Sequence, residues 1–460
     1  MRPIPIVLVA LFAVACEPTA QVINSPTPSS GEASSLGPTA SPNATASASG
    51  PVGSQTPITL VTPSPVSLST PTPFGSPATP APTSGPSATP FGPFARVAAF
   101  PVSGAYEVTD VSTTSTGYVA VGFGGLNGAD YYGLRQGIVW TSTDGINWIE
   151  LLDPTLVNVS PLRVVAKGSD LFMAGTLSAC SELDDTCTDV PQAGNGIWQS
   201  TNGGPWQLLP QLASMQTGLI DNMFLDGDQL VVFGGGGDPS ETTTVWMSRD
   251  GVNWTSTTDL AGMDPVTSMM VGPAGLTAFG TVYDEGLLDV LLIAATSSDG
   301  AHYSAGTAPQ MTGAGIDDLA AGTGGMVGVG YKTSEALDTA GVAVKSSDGA
   351  NWTQATNSDG SFGGSGLQTV HALPAGGYVA LGNTPHADDF TLEDGDAWYS
   401  ADGSDWKLIA HLDTPFSQLS TSALGSAGVV VFASEMVDVD EDTVASNIYA
   451  WFAPLASLHG

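Results

Sequence analysis

Carboxylates in close order are the residues of this chain best placed to do chemistry. Asp438-x-Asp440-x-Asp442 sets three acids on alternate positions, with Glu435 and Glu441 beside them. Their mutual repulsion is relieved by a hard cation, and Ca²⁺ takes roughly six to eight oxygen ligands. The spacing begins like a calcium loop and then departs from it. Thr443 stands where glycine is wanted, and Tyr449 stands where a bidentate Glu would close the shell. The run reads equally as a solvated acidic loop, so calcium is the one cofactor left open. Asp110, Asp221 and Asp317, the last followed by Asp318, sit at apolar runs that read as inner strands. There they could coordinate a cation or form an acid/base pair for sugar chemistry. They could equally be strand residues hydrogen-bonded to a neighbouring unit. Tyr131 and Tyr132 offer flat faces to a sugar ring or a partner.

Other constellations do not assemble. The histidines (His302, His371, His386, His411 and His459) lie in unrelated local contexts, and no Ser-His-Asp set is legible. No glycine-rich phosphate loop precedes a helix. No catalytic residue is assigned. Cys180 and Cys187 flank Ser-Glu-Leu-Asp-Asp-Thr, a spacing that suits a local disulfide in an oxidising compartment. A metal site built on two thiols would need His or further Cys close by, and neither is there.

What must position these residues is a repeat. The phrase Ser142-Thr-Asp144-Gly145-Ile-Asn-Trp148 returns from Ser200, Ser248, Ser297, Ser346 and Ser400, at steps of 58, 48, 49, 49 and 54 residues. Each copy follows a short apolar run such as Ile138-Val-Trp140. A strand therefore enters a tight Asp-Gly turn, in which glycine supplies positive φ. The Ser and Asp side chains cap turn amides, and the closing Trp is free to pack against the next unit. Twenty to thirty residues upstream lies another strand, for example Tyr118-Val-Ala-Val-Gly122 or Tyr378-Val-Ala-Leu-Gly382. Four short strands in about fifty residues, with no long helical period, make a propeller blade. A seventh third strand, Ile448-Tyr-Ala-Trp451-Phe452, has no outer strand after it, while Phe94–Phe100 reads as an outer strand with no blade. Pairing the two predicts an all-β fold over 94–460: a seven-bladed propeller of four-stranded antiparallel blades, the last closed by the domain's N-terminal strand.

The pattern resembles the Asp-box repeat of sialidase-type (BNR) propellers over residues 94–460. The family phrase is Ser-x-Asp-x-Gly-x-Thr-Trp, in the hairpin between the third and fourth strands and away from the ligand face. The resemblance implies that Asp144, Asp250, Asp299, Asp348 and Asp402 are structural. A sialidase of this kind would need three arginines to clamp a carboxylate. The array holds only Arg96, Arg135, Arg163 and Arg249, of which Arg96 falls on the outer strand and Arg249 in a far-face hairpin. The triad cannot be assembled.

Residues 1–15 read as a signal peptide, Arg2 followed by an apolar run too short to span a bilayer. Ala13-Val14-Ala15-Cys16 resembles a bacterial lipobox, with Cys16 lipidated. Residues 16–93 carry 17 of the 33 prolines among Ser, Thr, Ala and Gly, and read as a disordered tether. The chain has 44 Asp and Glu against 9 Lys and Arg, a net charge of −35. That sign excludes nucleic-acid binding and repels an anionic membrane surface. Half of the acid falls in the seven segments expected to join second and third strands, opposite the Asp-Gly hairpins. The expectation is an exported, lipid-anchored monomer at a bacterial cell surface. Its head would bind a protein or glycan through an acidic loop face. The alternative is a glycoside hydrolase for neutral glycans, with an Asp pair near the axis.

Overall fold

Seven sheets stand in a ring, each packed against the one before and the one after. The structure, a computed structural model, describes residues 92–458 except 103–104, 126–134, 179–193, 211, 236–241, 285–288, 335–338, 387–390 and 441–442. Blade 1 is typical: its strands Ala105–Thr114, Gly117–Gly125, Arg135–Ser142 and Trp148–Val157 pair antiparallel in chain order. The innermost strands of blades 2 to 7 are Val159–Lys167, Asn222–Asp226, Val266–Gly272, Ala314–Gly322, Gly366–Ala372 and Gln418–Leu424. Blade 6 gains a fifth strand, Thr356–Asn357, lying parallel to Asp405–Trp406 of its outermost strand. Blade 7 takes its outermost strand from the start of the domain: Ala95 pairs with Phe452 and Arg96 with Trp451. The Val97 amide extends that pairing by donating to the Ala450 carbonyl at 2.8 Å. The seven-bladed fold with an N-terminal closing strand is therefore as expected, though the closing strand itself is two residues long.

The middle strands are apolar on both faces because both faces are covered. Each seam between blades holds its own apolar cluster. Between blades 1 and 2 lie Val119, Val121, Val139, Val164, Met173, Trp198 and Trp206. Across the closure lie Val111, Trp140 and Trp148 with Val430, Phe432 and Phe452. Phe100, on the entering segment, meets Trp140, Trp148 and Phe432 at ring distances of 5.4, 5.7 and 5.0 Å. Each fully buried side chain of this size contributes on the order of 2 kcal/mol. The closing Trp of the repeated phrase packs against the preceding blade, not the following one. Trp352 of blade 5 meets Phe279 of blade 4 edge-on at 4.8 Å. The outermost strand leans back over the seam already formed.

The hairpins repeat one hydrogen-bond pattern. Ser142 Oγ accepts the Gly145 amide at 2.9 Å, and Asp144 Oδ1 accepts the Ile146 and Asn147 amides at 2.9 and 2.7 Å. Ser248/Asp250, Ser297/Asp299 and Ser346/Asp348 reproduce it. Gly145 has φ +76°, where a Cβ is strained, so glycine follows the Asp. In blade 2 Asn202 replaces the Asp, and Asp170 from the neighbouring strand turn caps the Asn202 amide instead.

A second glycine position has a different cause. Gly122, Gly175, Gly234, Gly280, Gly330 and Gly382 sit on the second strands where the innermost strand presses its backbone inward. A Cβ there would strike a carbonyl oxygen, that of Glu107 for Gly122 and of Gly315 for Gly330. Gly330→Ala should therefore cost more than Gly168→Ala. Gly168 has positive φ but open space around it, and the left-handed penalty alone is about 1–2 kcal/mol. Thermal melts of the two variants check this: the larger fall in Tm belongs to Gly330→Ala, and the reverse order would show that the innermost strand yields without cost.

Candidate functional site

The innermost strand of each blade is a sheet edge facing the axis, and adjacent innermost strands meet around the ring. Edge amides and carbonyls need partners. A one-residue register shift interrupts six of these strands at the same height, skipping Thr109, Leu162, Thr267, Asp317, Gln368 and Ser420. Asp221, just ahead of the blade 3 strand, holds the corresponding place. Side chains at and after the shift reach the neighbouring blade. Thr109 Oγ1 donates to the Pro161 carbonyl at 2.9 Å, and Thr267 Oγ1 to that of Ile316 at 2.8 Å. Asp110 Oδ2 accepts the Val164 amide at 2.7 Å, and Asp318 Oδ2 accepts that of Val370 at 2.8 Å. Asp110 and Asp318 are thus ties between blades. Where a shorter residue holds the same place the tie is missing: Ser268 Oγ is buried without a partner among the described residues.

The channel wall therefore carries carboxylates of two kinds. Asp110 and Asp318 are engaged, whereas Asp317 accepts no hydrogen bond among the described residues. Burial pushes Asp110 up to about 6, against the opposing pull of Arg163 and the Val164 amide. Burial alone pushes Asp317 up to about 7. Asp318 also rises to about 7 through burial, with Asp317 and Asp110 adding repulsion. Glu107 and Asp221 are raised by burial as well; the Arg135 and Arg163 charges oppose the shift of Glu107, and Arg163 that of Asp221. Arg163 thus stands among acids of blades 1 and 3, and blade 5 holds an acid pair of its own. Further round, His371 Nε2 and Thr369 Oγ1 each share a 2.7 Å hydrogen bond with Ser422 Oγ, joining blades 6 and 7. Burial pulls His371 down to about 4, which keeps it neutral.

The candidate residues scatter differently from their places in the chain. Asp110 and Asp317 stand within their inner strands at the register shift, not at the strand starts, while Asp221 precedes its strand. Asp438 and Asp440 lie on the second strand of blade 7, Gly428–Asp440; their side chains, and Asp442, lie outside the described residues. Among the described residues no three of His, Cys, Asp or Glu are grouped to hold a metal. Tyr131, Tyr132, Cys16, Cys180 and Cys187 also lie outside the described residues. Arg135, stacked on Phe123 at 4.4 Å, and Arg163 both act on Glu107, whereas Arg96 stacks on Tyr449 at 4.7 Å and Arg249 faces Asp228 at 3.7 Å on the hairpin side.

The sequence gives no sign of Glu107 or Arg163 as channel neighbours, nor of two His–Asp pairs on blade 6. His386 Nδ1 meets Asp394 Oδ1 at 2.9 Å, and His411 is paired with the buried Asp396. The only signal was a shared strand pair, since Asp396 and His411 face each other across the third and fourth strands.

Comparison with known proteins assigns no family. No protein-family model matches the chain, and no curated protein matches it. Similar solved structures include a Dyadobacter fermentans protein of unknown function, at 14% identity and TM-score 0.41, covering 76% of this chain and 95% of that one. The polysaccharide lyase Uly1 gives 9% and 0.49, covering 78% of this chain and 92% of that one. The sialidase of Trypanosoma rangeli gives 11% and 0.37, covering 76% of this chain and 54% of that one.

The carboxylates make stability depend on pH in two windows. Asp110, Asp317 and Asp318 have folded values above the unfolded value of about 4. The folded state therefore holds extra protons between about pH 4 and 7, and stability falls as pH rises through that window. The hairpin acids do the opposite. The Asn147 amide foremost pulls Asp144 down to about 2, and Asp250, Asp299, Asp348 and Asp402 are lowered for the same kind of reason. Their contribution is present above pH 4 and lost below it. Tm should peak near pH 4–5 and decline toward pH 8, and Asp317→Asn should flatten the decline. A Tm that climbs steadily from pH 5 to 8 would contradict this assignment.

Proposed function

We propose that this propeller is a binding head, held outside the cytoplasm by a lipidated Cys16, which takes a protein or glycan ligand on the face opposite its Ser/Asp/Gly hairpins. One observation supports the reading most. The second strands end, and the third strands begin, on the face away from the hairpins, so the acid-rich connecting segments all leave from one rim. The channel gives a ligand carboxylates to meet, with Arg135 and Arg163 as cations among them. Glycan recognition suits such a wall, because ionised acids accept and protonated acids donate hydrogen bonds to hydroxyl groups. Tyr131 and Tyr132 belong to the proposal as stacking surfaces, and calcium at Asp438, Asp440 and Asp442 as a brace for the rim. The head acts as a monomer.

A second reading has its own support. Burial holds Asp317 at about 7 with no hydrogen-bond partner among the described residues, the state a general acid needs near neutral pH. Paired with another wall carboxylate it would serve hydrolysis of a neutral glycoside.

A glycan array probed with wild type and with Asp221→Asn/Asp317→Asn separates these readings. The binding head should retain neutral or basic glycans, lose at least tenfold in affinity in the variant, and leave chromogenic neutral glycosides intact. Glycoside turnover abolished by Asp317→Asn would replace it with the hydrolase. Two further measurements bear on the anchor and the brace. Cys16→Ser should move the protein from the membrane fraction to the soluble one. Ca²⁺ should raise Tm over chelator, and equal Tm values remove calcium from the proposal.

A further inference from the structure

Two blades place an aromatic ring at the same point near the rim end of the second strand and treat it differently. The ring follows the glycine that lets the inner strand approach: Phe123 after Gly122 in blade 1, and Tyr331 after Gly330 in blade 5. Phe123 lies opposite Glu107 and Gly137 and is 4% exposed, with the Arg135 guanidinium over its face at 4.4 Å. Tyr331 is 42% exposed. Its cross-strand partners are Gly315 and Gly341, so its own sheet sets no side chain beside the ring. Among the described residues no second ring, cation or hydrogen-bonding group engages it.

The Tyr331 side chain turns toward blade 6. A Cβ on Gly341, opposite it, would strike Leu367 of that blade, and the Tyr331 Cβ lies 4.0 Å from where a Cβ on Gly366 would sit. Opposed residues of an antiparallel pair point to one side of the sheet, so Gly315 faces blade 6 as well. Among the described residues, a Cβ on Gly315 would meet only Asp317 Oδ1, at 3.8 Å. The Asp317 carboxyl group therefore borders bare backbone beside the ring. From blade 6, Asn383 Oδ1 comes within 3.6 Å of the same place on Gly366 and accepts Gln368 Nε2 at 3.0 Å. The Asn383 side chain is bonded in turn to Glu393, which holds the row of amides in place. Gln368 Oε1 and the Asp317 carboxyl group are left without a hydrogen bond among the described residues.

We propose that Tyr331, Asp317 and Gln368 form a subsite at the seam of blades 5 and 6 for one uncharged pyranose ring of a glycan. The C–H face of the sugar lies on the Tyr331 ring, in the space that Gly315 and Gly366 leave open. Its hydroxyl groups bond to the Asp317 carboxyl group and to the Gln368 amide, which both accepts and donates. Charge selects the class. Arg135 and Arg163 belong to blades 1 and 2, and Lys332, next along the strand, points to the other face of the sheet from Tyr331. An acidic sugar would meet Asp317 and Glu393 with no arginine beside them. Blade 1 shows the position filled from within: there the Arg135 guanidinium covers the ring face that blade 5 leaves to the sugar. The subsite rests on the ligand face proposed above and names what that face takes.

The test uses the full chain with methyl β-D-glucopyranoside, methyl β-D-galactopyranoside and methyl α-D-mannopyranoside as probes. In protein carrying ¹³C-labelled tyrosine rings, the Tyr331 signal is the one lost in Tyr331→Phe. It should shift on titration with at least one of the three. Calorimetric titration with that glycoside should show Tyr331→Ala and Gln368→Ala each weakening binding, the first at least tenfold. Tyr331→Phe keeps the ring face and should stay within twofold of wild type. Tyr283→Ala removes an exposed tyrosine of blade 4 and should change nothing. A Tyr331 signal unmoved by all three glycosides would overturn the subsite, as would a glycoside held equally by wild type and Tyr331→Ala. In either case glycans retained by wild type on the array leave the ligand face standing, whereas an array that retains none removes the ligand face together with the subsite.

Discussion

A sheet that is apolar on both faces has to be covered on both, and a four-stranded sheet of some fifty residues cannot cover itself. Every blade here depends on two neighbours, so the ring must close. The closure joins residues more than three hundred positions apart through Ala95 and Arg96 on Phe452 and Trp451. Phe100 then wedges into the seam between blades 7 and 1. Each seam brings its own apolar cluster, and closing a ring adds the last seam without adding another blade.

The same constraint shapes the axis. Standing seven sheets on end leaves seven inner edges facing one another, with amides and carbonyls that no strand pairs. Thr109 and Thr267 satisfy carbonyls of the next blade; Asp110 and Asp318 satisfy amides. Carboxylates near the axis are thus partly an architectural necessity. What the architecture does not require is Asp317, beside Asp318 and without a hydrogen-bond partner among the described residues. A mutation of Asp110 or Asp318 therefore removes a tie between blades, whereas Asp317→Asn leaves those ties in place. On the opposite face the acids are fully engaged: in the hairpins each carboxylate gathers turn amides and stays ionised. One chain holds acid as ionised scaffold on one face and as carboxyl groups raised by burial in the channel.

Much of this was legible because it is local. Ser142, Asp144, Gly145 and Trp148 fall within seven residues, and the turn they form depends on nothing beyond them. Repetition then gave the blade length, and the unpaired runs at the two ends gave the closure. The site was legible only in part. Asp110, Asp221 and Asp317 could be placed near the axis by their runs, but the sequence does not separate the tie from the unengaged acid. A single-residue register shift decides that, and it depends on how closely Gly122 or Gly330 lets the inner strand approach. Arg163 and Glu107 became neighbours through the ring, across blades, as did His371 and Ser422. The direction in which Trp352 packs was missed for the same reason: a blade's twist, not its sequence, decides which neighbour the outer strand leans on.

The division of the acids into two populations is open to direct measurement by a site-resolved ¹³C titration of the aspartate carboxyl groups in the folded protein. Asp317 and Asp318 should change protonation near pH 7, Asp110 near 6, and Asp144 only near 2. If the channel acids titrate with the hairpin acids at or below pH 4, the channel is wet and the account of two acid populations separated by burial is wrong.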